Sequence, residues 1–179
     1  SLKWYGELFR DEGIMKAAWV SVRIAFFTAT ASVVLATIAS MVMTRMRSFR
    51  GKTLFGGLIT APLVMPEVIT GLSILLLFVS LGMDRGMTTI WIAHVTFCMA
   101  FVTVVVSSRL SELDKSIEEA AMDLGANRVK VFFLITLPII MPALVSGWLL
   151  AFTLSLDDLV VASFVSGPSS TTLPMKVFS

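Results

Sequence analysis

The sequence predicts an all-α, polytopic membrane protein, because it is too apolar for a soluble domain and its apolar residues fall in four long runs. Of the 179 residues, 56% are hydrophobic and 15% are charged, and the mean hydropathy is +0.91. Soluble domains carry about 25% charged residues. A soluble core of ordinary size could not bury this much apolar surface, so lipid is the expected solvent.

The four apolar runs are long enough to cross a bilayer as helices. A helix needs about 20 apolar residues to cross the ~30 Å hydrocarbon core, and an open sheet cannot satisfy its backbone in lipid. The predicted spans are 17–44, 53–83, 87–108 and 131–158, in a single domain covering residues 1–179. Pro62, Pro66 and Gly71 predict a kink or break in the second span.

The basic residues predict which connecting segments face the cytoplasm. Two of the links carry most of them: Arg45, Arg47, Arg50 and Lys52 follow the first span, and Arg109, Lys115, Arg128 and Lys130 follow the third. The positive-inside rule places both links in the cytoplasm. The short link around Asp84 and Arg85 then lies outside.

The cytoplasmic segment 109–137, which we call the coupling loop, is predicted to form a helix, a tight turn and a second helix. Its first half has apolar residues at three-to-four spacing, namely Leu110, Leu113, Ile117, Ala120, Ala121 and Leu124. Gly125 interrupts this pattern as a helix C-cap. The second amphipathic stretch, 129–137, is expected to end at Pro138.

The coupling loop also contains a gapped motif. Glu119-Ala120-Ala121 is followed after three residues by Gly125, and after nine more by Ile135-x-Leu137-Pro138. This pattern resembles the EAA loop of ABC-importer permeases, which in that family docks into a cleft of the ATPase subunit. Small alanines allow close approach, and glycine permits a turn that is costly for other residues. The resemblance implies ATPase-coupling roles for Glu119, Ala120, Ala121, Asp123, Gly125, Leu137 and Pro138; the alternative is a solvated connector.

Two further stretches, 61–71 (APLVMPEVITG) and 155–168 (SLDDLVVASFVSGP), resemble polyamine permeases, and the whole chain is most similar to the putrescine transport permeases. The resemblance implies a type I ABC-importer permease fold in the bacterial inner (plasma) membrane. It also implies an ATP-binding cassette subunit dimer, a second permease subunit and a periplasmic substrate-binding protein as partners. Full-length members have six spans, so a fragment is expected. Membrane lipid is a further expected partner, and nucleic acid is not.

Four residues are candidates for a cation path: Asp157, Asp158, Glu67 and Trp148. A polyamine is a multivalent cation that requires carboxylates, carbonyls or aromatic faces. The adjacent aspartates repel each other, and a dication would relieve this; the alternative is interfacial acids or an N-cap for a following helix. Glu67 lies inside an apolar run and should face an interior. It is either a path or gating residue, or it satisfies backbone groups freed at Pro66.

Catalysis, metal binding and nucleotide binding are not expected of this chain. A single histidine, His94, and a single cysteine, Cys98, provide neither a metal site nor a catalytic triad. Gly51-Lys52-Thr53 lacks the glycine that a phosphate-binding loop requires five residues earlier, where Met46 stands. No cofactor is therefore expected, and ATP is expected on the partner subunit. An intramembrane aspartyl protease would need aspartates on facing helices.

The expected function is a transmembrane subunit of an ATP-driven importer. By resemblance, it translocates a polyamine, putrescine in particular, from periplasm to cytoplasm by alternating access, without covalent chemistry of its own. Two alternatives remain: a permease for another small solute, and a membrane scaffold without transport activity.

Overall fold

The computed structural model describes residues 11–179, so the first ten residues of the predicted domain lie outside it. Every regular element in the described range is helical, which confirms the predicted all-α class. The helices are α1 (Glu12–Arg45), α2 (Lys52–Thr60), α3 (Glu67–Ser80), α4 (Met87–Glu112), α5 (Lys115–Asp123), α6 (Arg128–Val131), α7 (Leu137–Asp157), α8 (Val160–Val165) and α9 (Leu173–Val177). A 3-10 turn, Ala61–Leu63, follows α2, and a π-helical turn, Phe132–Thr136, joins α6 to α7.

Three stretches are long and apolar enough to cross a membrane: Glu12–Arg45, Met87–Glu112 and Arg128–Asp157. The region of the second predicted span, 53–83, is instead a bent pair, in which Lys52–Leu63 and Glu67–Ser80 meet at 113°. Proline removes a backbone donor and disfavours helical geometry in the residue before it, so Pro66 explains the break. The sequence predicted a break but not its size, and four spans result only if the pair counts as one.

The core forms where α1 packs along α4 and α7. A stripe of small residues at four-residue spacing on α1 is fully buried there: Thr28, Ser32, Ala36 and Ser40. Ser107 Oγ donates a hydrogen bond to Ser40 Oγ at 3.0 Å across the contact with α4. Small residues let helix backbones approach closely, so that van der Waals contact and interhelical hydrogen bonds hold a bundle that lipid alone would not drive together.

The segment after α7 folds back onto the N-terminal end of α4. Thr89 Oγ1 donates to the Val165 carbonyl at 2.8 Å, and the Leu173 N–H donates to Ser21 Oγ at 2.7 Å. These bonds fix α8 and α9 against the starts of α4 and α1. The opposite end of the bundle is left to the coupling loop.

The two basic links meet at this opposite end. Arg45 closes α1, and its Nη2 donates to the carbonyl of Leu113, just past α4, at 3.2 Å. This contact between the two links agrees with the expectation that both lie on the same side of the membrane. The assignment of that side to the cytoplasm stays a prediction.

The coupling loop differs from its predicted helix–turn–helix at both ends. α4 continues to Glu112, the chain becomes extended at Leu113, and the separate helix α5 begins after Asp114. At the far end, the helix does not stop at Pro138 as expected but continues to Asp157. Pro138 has no N–H and crowds the preceding turn, and the wider π-helical turn before it provides room for that ring.

Candidate functional site

A cleft of about 360 Å³ lies between the break before α3 and the end of α7. It is lined by three of the four candidate cation-path residues, Glu67, Asp157 and Asp158, which come from distant parts of the chain. Phe97 and Phe101 of α4 contribute an aromatic wall. The structure thus places carboxylates and aromatic rings around one space, the two kinds of group that attract organic cations.

Glu67 is an exposed residue at the first position of α3. No side chain caps the start of this helix, so Glu67 does not satisfy the backbone groups freed at Pro66, which was the alternative to a path role. A carboxylate at a helix N-terminus is favoured by the helix dipole. In this position Glu67 lines the cleft, and its oxygen atoms accept no hydrogen bond from the part of the chain that the structure describes.

The two adjacent aspartates have different environments. Asp158 accepts hydrogen bonds from the backbone N–H groups of Val161, at 3.3 Å, and Ala162, at 2.7 Å, at the start of α8. The predicted alternative, an N-cap for a following helix, therefore describes Asp158. Asp157 is exposed and has no hydrogen-bond or ion-pair partner within the described part of the chain. Asp157 is the one of the two whose carboxylate is free for a cation.

His94 anchors Asp158 from α4. Its Nε2 lies 3.1 Å from Asp158 Oδ2, and its Nδ1 lies 2.7 Å from Ser155 Oγ. Serine, histidine and aspartate in series resemble a catalytic triad, but a nucleophilic serine must be reachable, and Ser155 is only 3% exposed. His94 is fully buried. The set is a buried polar contact that holds the end of α7 against α4.

Trp148, the fourth candidate, does not line the cleft. Its Nε1 donates to Thr30 Oγ1 on α1 at 3.2 Å, and its ring stacks on Phe152 with the centroids 5.2 Å apart. Trp148 therefore lies outside this cleft, and its role on the cation path stays a prediction. Its indole packs between α1 and α7, because its N–H finds a partner there that a lipid-facing position would not offer.

The coupling loop is shaped by a cap at each end of α5. The Ser116 N–H donates to Asp114 Oδ1 at 2.9 Å and holds the pKa of that carboxyl below its usual value. At the other end, Gly125 has φ +90°. The N–H of Gly125 donates to Met122 O at 2.9 Å and that of Ala126 to Ala121 O at 3.1 Å, which is a Schellman motif. The predicted C-cap at Gly125 is confirmed.

Most of the residues predicted to couple to the ATPase are accessible. Glu119, Ala120, Asp123, Gly125 and Pro138 are exposed, whereas Ala121 and Leu137 are half-buried. We define the coupling surface as Ile117, Ala120, Ala121 and Leu124, which share one helical face by their three- and four-residue spacing. Leu124 is 91% exposed. Exposed apolar patches of this kind mark sites of protein–protein contact.

Glu118, the residue before the motif, carries no signal in the sequence that marks it as functional. Glu118 is buried, its Oε2 lies 2.7 Å from Arg45 Nε, and its Oε1 accepts a hydrogen bond from Thr136 Oγ1 at 2.6 Å. In the sequence, Arg45 served only as evidence for which connecting segments face the cytoplasm. No spacing rule links residues so far apart in the chain, so only the fold could reveal this contact.

Residues 20–177 match the family model described as "Binding-protein-dependent transport system inner membrane component". The chain belongs to this family. The match covers most of the first spanning stretch, all of the others and the whole coupling loop. The chain is therefore a multi-pass component of a membrane transport system.

Individual relatives place the similarity in a smaller group within this family. The putrescine transport system permease protein PotI of Escherichia coli strain K12 is 66% identical over 185 aligned positions, covering 100% of this chain and 66% of PotI. The spermidine/putrescine transport system permease protein PotC of Haemophilus influenzae is 44% identical, covering 100% of this chain and 69% of PotC. The chain thus spans about two thirds of the length of these relatives.

Solved structures agree on the fold. A bacterial ABC transporter involved in the import of alginate superposes with a TM-score of 0.78 at 20% identity, covering 97% of this chain and 60% of that one. An amino acid ABC transporter gives a TM-score of 0.70 at 17% identity, covering 97% of this chain and 80% of that one. The predicted ABC-importer permease fold is confirmed.

Replacing Gly125 with alanine is expected to destabilise the turn of the coupling loop. No atom lies within 4 Å of a Cβ built at this position, so the penalty is conformational, about 1–2 kcal/mol for an L-residue with left-handed backbone angles. Hydrogen–deuterium exchange of the Gly125 and Ala126 amides should accelerate. Gly125→Asn is the matched control, because asparagine tolerates this conformation. Equal exchange in wild type and Gly125→Ala would contradict the assignment.

Proposed function

We propose that this chain forms part of the transmembrane subunit of an ATP-driven importer that carries a polyamine, putrescine in particular, into the bacterial cytoplasm. The observation that carries the proposal is the 66% identity to a putrescine transport permease across the whole chain. The cleft with its two free carboxylates supports the same substrate class.

In this proposal, Glu67 and Asp157 receive the ammonium groups of the substrate. Both carboxylates line the cleft, and neither is occupied by a partner in the described range. Phe97 and Phe101 cover the apolar methylene chain and offer ring faces to the charged ends. Asp158 has a supporting role, because its oxygen atoms already hold α8 and His94.

The coupling surface is the proposed contact with the ATPase. Its small and apolar side chains lie on α5, beyond the C-terminal end of α4, and Glu119 beside them offers an exposed carboxylate to a basic partner group. ATP is bound and hydrolysed by a dimer of partner subunits. Closure of that dimer displaces α5 and switches the cleft between periplasmic and cytoplasmic access. A second permease subunit and a periplasmic substrate-binding protein complete the complex in the inner membrane.

The full-length protein, reconstituted in liposomes with its partners, tests this proposal. Labelled putrescine should accumulate only with ATP and binding protein present, and unlabelled di- and triamines should compete better than neutral amino acids or sugars. The competition ranking separates a polyamine carrier from an importer of another solute. ATP-dependent uptake that amines do not reduce would refute the substrate class, and absence of any uptake would refute transport.

A further inference from the structure

Glu118 occupies a buried junction at which α5 meets the ends of three spanning stretches. Its two oxygen atoms contact Arg45 Nε, in an ion pair at 2.7 Å that is not aligned as a hydrogen bond, and Thr136 Oγ1, at 2.6 Å. Arg45 also donates to the Leu113 carbonyl. Through these contacts, α5 is tied to α1, to the C-terminal end of α4 and to the stretch Arg128–Asp157.

Burial separates this junction from ordinary surface charge pairs. The side chains of Arg45 and Glu118 are 12% and 11% exposed, whereas those of the neighbouring pair Arg109 and Glu112 are 45% and 63% exposed. Exposed pairs contribute little to stability, while an acid or base left unpaired in a buried site is strongly destabilising. Glu118 is buried, whereas Glu119 beside it is exposed. It therefore contacts the bundle, while Glu119 remains available to a partner.

The hydrogen bond from Thr136 connects Glu118 to an irregular turn of helix. Thr136 is the last residue of the π-helical turn Phe132–Thr136, which interrupts the long helix leading to the cleft. π-Helical turns are rare and frequently lie at functional sites. Glu118 thus joins α5 to the point at which this helix departs from regular α geometry.

We propose that Glu118 is a positioning residue that transmits displacement of α5 to the spanning helices. The proposal rests on the proposed function and adds to it: the coupling surface receives the motion from the ATPase, and the Glu118 junction passes it on. α5 has only nine residues and follows a break at Leu113, so a flexible connection would otherwise let it move without moving the bundle. The ion pair and the hydrogen bond to Thr136 remove that freedom.

The test compares Glu118→Gln, Thr136→Val and the double variant Arg45→Gln/Glu118→Gln in the full-length transporter reconstituted with its ATPase, second permease subunit and binding protein. Uptake of putrescine and hydrolysis of ATP are measured in the same vesicles. We expect the ratio of uptake to hydrolysis to fall about 2- to 30-fold, the range seen for residues that carry coupling between sites. Glu112→Gln, which removes the exposed ion pair, is the matched control and should leave the ratio unchanged.

The double variant separates coupling from folding. Glu118→Gln alone leaves Arg45 without its buried partner and should lower the melting temperature, whereas removal of both charges should restore it. A ratio that stays low in the restored double variant supports the proposal. A ratio that recovers together with the melting temperature would show that the pair only maintains the fold and would overturn it. Wild-type vesicles without putrescine uptake would overturn the proposed function itself, which separates the two failures.

Discussion

Neutralising both free carboxylates of the cleft, as Glu67→Gln/Asp157→Asn, is expected to weaken putrescine transport severely. A hydrogen bond to a charged group contributes about 1.5–3 kcal/mol, so each lost carboxylate should raise the apparent KM about 10- to 100-fold. Both residues are exposed, and their replacements are nearly isosteric, so the fold should be retained. The measurement is the concentration dependence of uptake by the reconstituted full-length complex.

Asp158→Asn provides the matched control, because Asp158 is next to Asp157 in the sequence but its carboxylate already accepts hydrogen bonds within the fold. Its oxygen atoms cap α8 and contact His94, so this variant should lower the melting temperature while leaving the KM of the folded fraction close to wild type. An unchanged KM in the Glu67/Asp157 double variant would remove both residues from the substrate path. A raised KM with normal stability in Asp158→Asn would reverse the division of roles between the two aspartates.

The features that the sequence predicted correctly are local ones. Long apolar runs predict spanning helices because their side chains prefer lipid to water and their backbone groups must be paired within the segment. Gly125 predicts a turn because its left-handed backbone angle is a property of that one position. Neither of these inferences requires knowledge of which helices become neighbours.

The features that the sequence could not provide depend on packing between distant segments. Proline predicts a break near Glu67, but the angle of 113° is set by what α3 packs against, chiefly α8. Two adjacent aspartates are equivalent in sequence, and only the positions of His94 and α8 decide which of them remains free. Glu118 was overlooked beside Glu119 for the same reason, since its partners Arg45 and Thr136 become neighbours only in the fold.

Replacement of Gly167 by alanine is expected to destabilise the fold more than replacement of Gly125. A Cβ at Gly167 would lie 2.6 Å from the carbonyl carbon of Arg85 and would overlap the Arg85 oxygen. Backbone atoms cannot rotate away as a side chain does, so the loop after α8 would have to separate from the start of α4. Overpacking of this kind costs about 1–3 kcal/mol and sometimes more, and the melting temperature of the purified protein should fall clearly.

Gly57→Ala is the control, because nothing lies within 4 Å of a Cβ at Gly57 and the residue is exposed on α2. Alanine is favoured over glycine inside a helix by about 1 kcal/mol, so this variant should melt at or above the wild-type temperature. The comparison isolates the close approach at Gly167 from the general effect of adding a methyl group to a glycine. Equal melting temperatures for the two variants would mean that the loop after α8 does not rest on Arg85.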